Sequence, residues 1–252
     1  MRRFLRRRGQ GTADSRERIR GEMTLVEHLE ELRRRLLVSV VAVFVTTVIG
    51  FVFSEQLMAL LLNLVKNAKP DVQVQALEIP ETFFTSMQIS LVAGLILAMP
   101  VLVLQLWLFL RPGLLPKERR YILLGLPLVT LFFAAGVAFA YFLALPAALR
   151  FLLNFGSDLV QTSPQLGPYL GFVATLLLWS GVGFELPIVL FFLAKIRVVD
   201  YRRLGRWRKY ALLIICIFAA IITPTPAPVN MLIVAAPLYA LYELGILFAR
   251  LA

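Results

Sequence analysis

The sequence predicts an all-α polytopic membrane protein with six transmembrane helices, both termini cytoplasmic and the last two spans short. Three observations predict it. The chain has 252 residues, 60% of them hydrophobic, with a mean hydropathy of +0.81, which places it with membrane proteins rather than soluble domains. Its apolar residues gather into six runs, at about 36–53, 87–110, 121–145, 169–193, 210–222 and 230–249. Its Lys and Arg residues are sorted between alternate connections, 23 on one side and 3 on the other. Cytoplasmic connections carry the basic excess, so both ends of the chain are assigned to the cytoplasm and the number of spans is even.

Taken in order, residues 1–22 form a basic tail with Arg2, Arg3, Arg6, Arg7 and Arg8 at its start. It is not a secretory signal, because residues 9–35 are polar where an apolar segment would follow. A disordered tail lying near anionic headgroups is expected. Organised sequence begins at Met23, which leaves 23–252 as a single six-helix transmembrane domain. Thr24–Leu37 reads TLVEHLEELRRRLL. Thr24 and Glu27 have capping-box spacing. Leu25, Leu29, Leu32 and Leu36 make one apolar stripe. Glu30–Arg34 and Glu31–Arg35 stand at the favourable i,i+4 spacing. An interfacial helix therefore leads into the first span, and on pattern alone it reads as a solvated, salt-bridged helix.

Between the first two spans, residues 56–65 are too short to cross and read as an amphipathic surface helix. Residues 147–155 read the same way, and together the two segments are expected to cap the outer face. Pro100 marks a kink in the second span, and Pro127 and Gly136 interrupt the third. The loop FLRPGLLPKERRY places one acid, Glu118, among four bases. Two readings stand for it: a partner for Arg119, Arg120 or Arg111, or a receiver for a cation from another molecule.

The fourth run, 169–193, contains one acid, Glu185. A carboxylate near the middle of a bilayer costs roughly 2.5–3.5 kcal/mol on insertion scales and normally faces protein or a wet cavity. Gly181 and Gly183 remove bulk ahead of it, and Pro187 cannot donate to the carbonyl of Gly183, so the helix is weakened there. Glu185 is either a packing partner for a polar group on another helix or a functional acid in the membrane. The fifth run, Ala211 to Ile222, spans only about 18 Å as a helix. TPTPAPVN then turns the chain, so 211–249 reads as a short hairpin.

Several function classes are excluded. The net charge of +11 is concentrated in the connections of one side, which speaks for membrane topology and not for nucleic acid. A single cysteine, Cys216, rules out an internal disulfide framework, and a single histidine, His28, rules out a multi-His metal site within one chain. No phosphate-cradling loop, G-x-S-x-G or HExxH is present. No catalytic constellation, cofactor or metal is expected, and the chain is not read as an enzyme. No internal repeat of the transporter kind is visible.

Three segments carry a resemblance: HLEELRRRL at 28–36, FLRPGLLPKERR at 109–120 and GVGFELP at 181–187. In sequence, order and placement they are similar to the signatures of TatC, the multi-spanning subunit of the twin-arginine protein translocase. PETFFTSMQIS at 80–90 and the ending APLYALYELGILFAR extend the likeness over about 24–250. The resemblance implies a receptor in the cytoplasmic (inner) membrane that binds twin-arginine signal peptides of folded cargo. It also implies an assembly platform for single-span TatA-like and TatB-like partners in an oligomer driven by the proton gradient. Glu31 and Glu118 match the carboxylates that take the arginines, Phe109 an aromatic beside them, and Arg33, Arg35, Arg119 and Arg120 the flanking bases. Glu185, with Pro187, matches the intramembrane acid that meets the partner helices. A guanidinium pairs with carboxylate as a directional fork, which lysine lacks. The likeness departs at Ala227 and Asn230, where the family often has an aspartate, and at Gln88, where it often has a base. A proton- or cation-coupled small-solute transporter using Glu185 is the alternative reading, and a scaffold without a peptide site is a third.

Overall fold

One helix, α1 (Leu25–Val52), carries both the charged segment and the first apolar run. Nothing in the sequence separates the two: no proline occurs between Leu25 and Val52, and the apolar stripe of the charged segment runs on into the span. At 28 residues the helix is about 42 Å long, so its charged end projects beyond an apolar layer of about 30 Å. The structure, a computed structural model, describes residues 25–110, 119–154, 163–195, 198–222 and 228–251, and for 25–27, 110, 119–125, 222, 228–230 and 251 it describes the backbone alone. The tail 1–22, Thr24, Arg111, Glu118 and Ala227 lie outside the described residues.

After α1 the chain turns into α2 (Ser54–Ala68), the expected amphipathic segment, which buries Leu61, Leu64 and Val65. α3 (Glu81–Leu110) returns through the layer with Pro100 inside it. α4 (Arg119–Phe139) continues through a π-helical turn, Ala140–Ala144, into α5 (Leu145–Asn154). In that turn Leu145 N–H reaches back five residues to the carbonyl of Ala140. The widened turn relieves the clash that the ring of Pro146 would make with the carbonyl of Phe142. Residues 147–154 of the segment expected as a separate surface helix thus continue the third span, and α5 packs against α2. There Lys69 Nζ donates to the carbonyl of Leu153 at 3.2 Å.

α6 (Leu166–Phe184) is the centre of the bundle, with Leu170, Val173 and Leu176 fully buried. It packs against α3 and α4. Gln88 faces it, with its amide beside Gly171, so this departure from the family pattern lies at a helix interface. After a break at Glu185 come α7 (Leu186–Lys195), α8 (Tyr201–Arg206), α9 (Arg208–Ile222) and α10 (Pro228–Leu251). α7 packs mainly against α10. Arg208 ties the start of α9 to α10 through Glu243, at 2.7 Å.

Among the described residues, five helical stretches are long and apolar enough to cross a membrane: His28–Val52, Glu81–Phe109, Leu126–Asn154, Leu166–Lys195 and Met231–Arg250. α9, with 15 residues, is about 22 Å long and is short as expected. α10 is not. Its 24 residues reach about 36 Å, so the expectation of two short final spans holds only for the first of them. The helix extends past the apolar run at both ends: Pro228 opens it at a position where its missing N–H costs nothing, and it runs on through Pro237 to Leu251.

The connections that lead into α3 and α6 are pinned by an acid that the sequence did not single out. Glu81 opens α3 and accepts from the N–H groups of Leu77 at 2.7 Å, Glu78 at 3.3 Å and Gly167 at 2.7 Å. One carboxylate thus joins the N-termini of α3 and α6, where free N–H groups and helix dipoles favour an anion. Gln75 adds a two-bond bridge to the residues before α6, with Pro164 and Leu166 as partners.

α1 rests almost wholly on α3, and only 6% of its apolar window is buried. The contact depends on close backbone approach. A Cβ on Gly94 would lie 2.7 Å from the Cα of Thr47, and Thr46 Oγ1 donates to the carbonyl of Gly94 at 2.8 Å. Small residues are the means by which membrane helices approach this closely. Gly94→Val is expected to cost about 1–3 kcal/mol by overpacking, read as a lowered thermal midpoint in detergent. An unchanged midpoint would mean that α1 does not hold this contact.

Candidate functional site

The charged end of α1 meets the end of α3, and the first group of site residues is assembled there. Residues three and four apart share a helix face, so His28, Glu31 and Arg35 stand in one row on α1. Gln105 and Phe109 stand in a row on α3 for the same reason. The two rows face each other. His28 stacks on Phe109 with ring centroids 4.5 Å apart and planes 25° from parallel. Arg35 Nη2 donates to Glu31 Oε1 at 3.1 Å, and Arg35 Nη1 donates to Gln105 Oε1 at 3.3 Å. The second carboxylate oxygen, Glu31 Oε2, is buried with no hydrogen-bond partner among the described residues. Buried polar atoms are rarely left this way.

Phe109 thus packs on His28, one turn along α1 from Glu31. Arg33 is exposed and stands two residues from Glu31, about 200° around the helix, so it cannot flank the carboxylate that Arg35 flanks. The expected Glu30–Arg34 pair is also not formed, and both side chains are exposed. An ion pair at an exposed position returns little for the side-chain freedom it removes. Arg119 opens α4, but its side chain, like all of Glu118, lies outside the described residues. Sequence reasoning missed His28 and Gln105 as site residues. The signal was present as spacing, His28 at i−3 from Glu31 and Gln105 at i−4 from Phe109.

The second group lies deeper. α6 ends at Phe184, α7 begins at Leu186, and Glu185 occupies the break. Glu185 N–H is held by Val182 O at 3.1 Å, and Glu185 O accepts from Ile188 and Val189 at 3.0 Å. The buried Pro187 is the second residue of α7 and leaves the carbonyl of Gly183 without its usual donor. Gly181 packs against the ring of Phe133 and against Gly136 on α4. Trp107 near the end of α3 meets Phe192 of α7 at 4.3 Å between centroids. Glu185 Oε1 is buried and has no partner among the described residues. Beyond Phe133 opens an apolar cleft of about 650 Å³, lined by residues of α2, α3, α4 and α6 that include Leu61, Ile96, Val137 and Leu177.

Two carboxylates, one at a helix end and one within a span, thus each hold a buried oxygen with no partner among the described residues. The family model of the Sec-independent protein translocase protein (TatC) matches residues 27–237, an interval that takes in both. The chain is a member of the TatC family. Among similar proteins, the Sec-independent protein translocase protein TatC of Carboxydothermus hydrogenoformans is 39% identical over 228 residues, covering 90% of this chain and 93% of the relative. That of Deinococcus radiodurans is 43% identical over 235 residues, covering 90% and 85%. A crystal structure of a twin-arginine translocase receptor, TatC, superposes with a TM-score of 0.82 at 36% identity, covering 89% of this chain and 99% of the other. As a TatC protein, the chain is a multi-pass membrane component of a Sec-independent protein translocase and not an enzyme. The reading of a small-solute transporter is not favoured by this membership.

Proposed function

We propose that the chain is the receptor for twin-arginine signal peptides and the assembly platform of its translocase. In this reading it lies in the cytoplasmic (inner) membrane with six spans and both termini cytoplasmic. The observation that carries the reading is the carboxylate of Glu31, which has one oxygen fixed by Arg35 and the other buried with no partner among the described residues, one turn from the Phe109–His28 stack. A guanidinium supplies what that oxygen lacks, a directed and charged N–H donor. Glu118 is the second arginine acceptor and Arg119 flanks it. The topology follows from the sorting of basic residues and from the apolar α9, which pairs with α10 to complete an even count. Glu185 and Pro187 form the contact for TatA-like and TatB-like single-span helices, because the broken helix presents an acid with an unmatched oxygen inside the layer.

The test is binding of a labelled signal peptide to the chain in nanodiscs, comparing Arg-Arg with Lys-Lys. A loss of about 1.5–3 kcal/mol for Lys-Lys is expected, the range of a hydrogen bond to a charged group. Equal affinities in a folded sample would remove the receptor function and leave a scaffold without a peptide site.

A further inference from the structure

Two atoms of opposite character are buried in the Glu31–Arg35 pair, and neither has a hydrogen-bond partner among the described residues. One is an acceptor, Glu31 Oε2, and the other a donor, Arg35 Nε. Arg35 is held at both ends of its fork, by Glu31 Oε1 at 3.1 Å and by Gln105 Oε1 at 3.3 Å. With both terminal nitrogens engaged on two different helices, the guanidinium plane is fixed and the Nε–H has one direction. The side chains of Arg35 and Glu31 keep 27% and 17% of their surface exposed, so a ligand can reach the edge of the pair with a small side-chain shift.

The chemistry of the two orphan atoms limits what the ligand is. A guanidinium alone satisfies Glu31 Oε2, but it has no acceptor to offer Arg35 Nε. A carboxylate does the reverse and is repelled by Glu31. A peptide offers both groups at once: a donor on an arginine side chain and an acceptor on its own main chain.

Resting on the receptor reading, we propose that Arg35 binds the main chain of the signal peptide. Its Nε–H donates to a backbone carbonyl near the arginine whose guanidinium is held on Glu31 Oε2, and Gln105 is the positioning residue that aims Arg35. The site then reads two things. Glu31 tests for arginine, and Arg35 tests for an extended backbone in register with it. Free arginine or a guanidinium compound satisfies only the first.

The experiment scans signal peptides in which single main-chain amides around the arginine pair are replaced by esters, whose carbonyls are weaker acceptors. Binding is measured on the unchanged chain, on Arg35→Lys and on Gln105→Met. Arg35→Lys keeps a cation for Glu31 but has no Nε–H. It is expected to lose on the order of tenfold in affinity, by the same factor for Arg-Arg and Lys-Lys peptides. One ester position is expected to weaken binding several-fold on the unchanged chain and to have no further effect on Arg35→Lys. Gln105→Met, close in shape, is expected to shrink that ester effect without abolishing the preference for arginine, and it carries the test if Arg35→Lys does not fold.

The proposal is overturned if no ester position separates the unchanged chain from the variants, the result expected if a bridging water satisfies both atoms. It is also overturned if Arg35→Lys weakens Arg-Arg peptides alone, since Arg35 would then act only through Glu31. Failure of the unchanged chain to prefer Arg-Arg over Lys-Lys would remove the receptor reading together with this inference. A normal preference with no ester coupling removes this inference only.

Discussion

Glu31→Gln is expected to lower the affinity for an Arg-Arg signal peptide by about 1.5–3 kcal/mol, on the order of ten- to a hundredfold, while leaving affinity for a Lys-Lys peptide much less changed. The substitution keeps the shape of the side chain and the acceptor for Arg35, but it removes the charge that a guanidinium pairs with. Because the Glu31 side chain is at a helix end with 17% of its surface exposed, the fold is expected to persist. Glu118→Ala is expected to give a loss of the same kind. If the two acids hold neighbouring arginines of one peptide, the double variant will lose less than the two single losses together, since groups acting on one ligand are coupled. Isothermal titration on all four proteins decides this. Unchanged Arg-Arg affinity in both single variants would end the assignment of these carboxylates to the arginines.

Glu185→Ala is expected to separate assembly from folding. In the isolated chain Glu185 Oε1 is buried with no partner among the described residues. Removing an unsatisfied buried carboxylate is neutral or stabilising for a chain that does not pair it. A partner helix that does pair it loses about 1–3 kcal/mol of contact. The thermal midpoint of Glu185→Ala alone should therefore stay the same or rise. Its crosslinking yield to TatA-like or TatB-like single-span proteins should fall roughly tenfold at limiting partner, with peptide binding kept. A fall in thermal midpoint with undiminished crosslinking would mean that Glu185 packs the monomer and does not recruit partners.

Five of the six expected spans were legible in the sequence because hydropathy over 18 or more residues leaves a chain little choice. The break at Glu185 was legible for an equally local reason, since Pro187 removes a donor wherever the helix lies. The Glu31–Arg35 pair followed from i,i+4 spacing, which is a property of one helix. The same spacing also suggested Glu30–Arg34, and there it failed, because no described residue beyond the helix holds those exposed side chains together. Arg33 was placed at the site from resemblance, and helix periodicity turns it away.

What the sequence by itself determined is the membrane class, the helical content, the sorted charges and the carboxylates with their local spacing. Each of these is set by residues within a few turns of one another. Only the tertiary structure decided that Gln105 and Phe109 face Glu31, Arg35 and His28, and that Glu81 joins the starts of α3 and α6. It alone showed which carboxylate oxygens have no partner among the described residues. These depend on the alignment of helices far apart in sequence, fixed by close approaches such as Gly94 on Thr47. An unsatisfied atom is defined by every neighbour it fails to meet, and no local pattern contains that information.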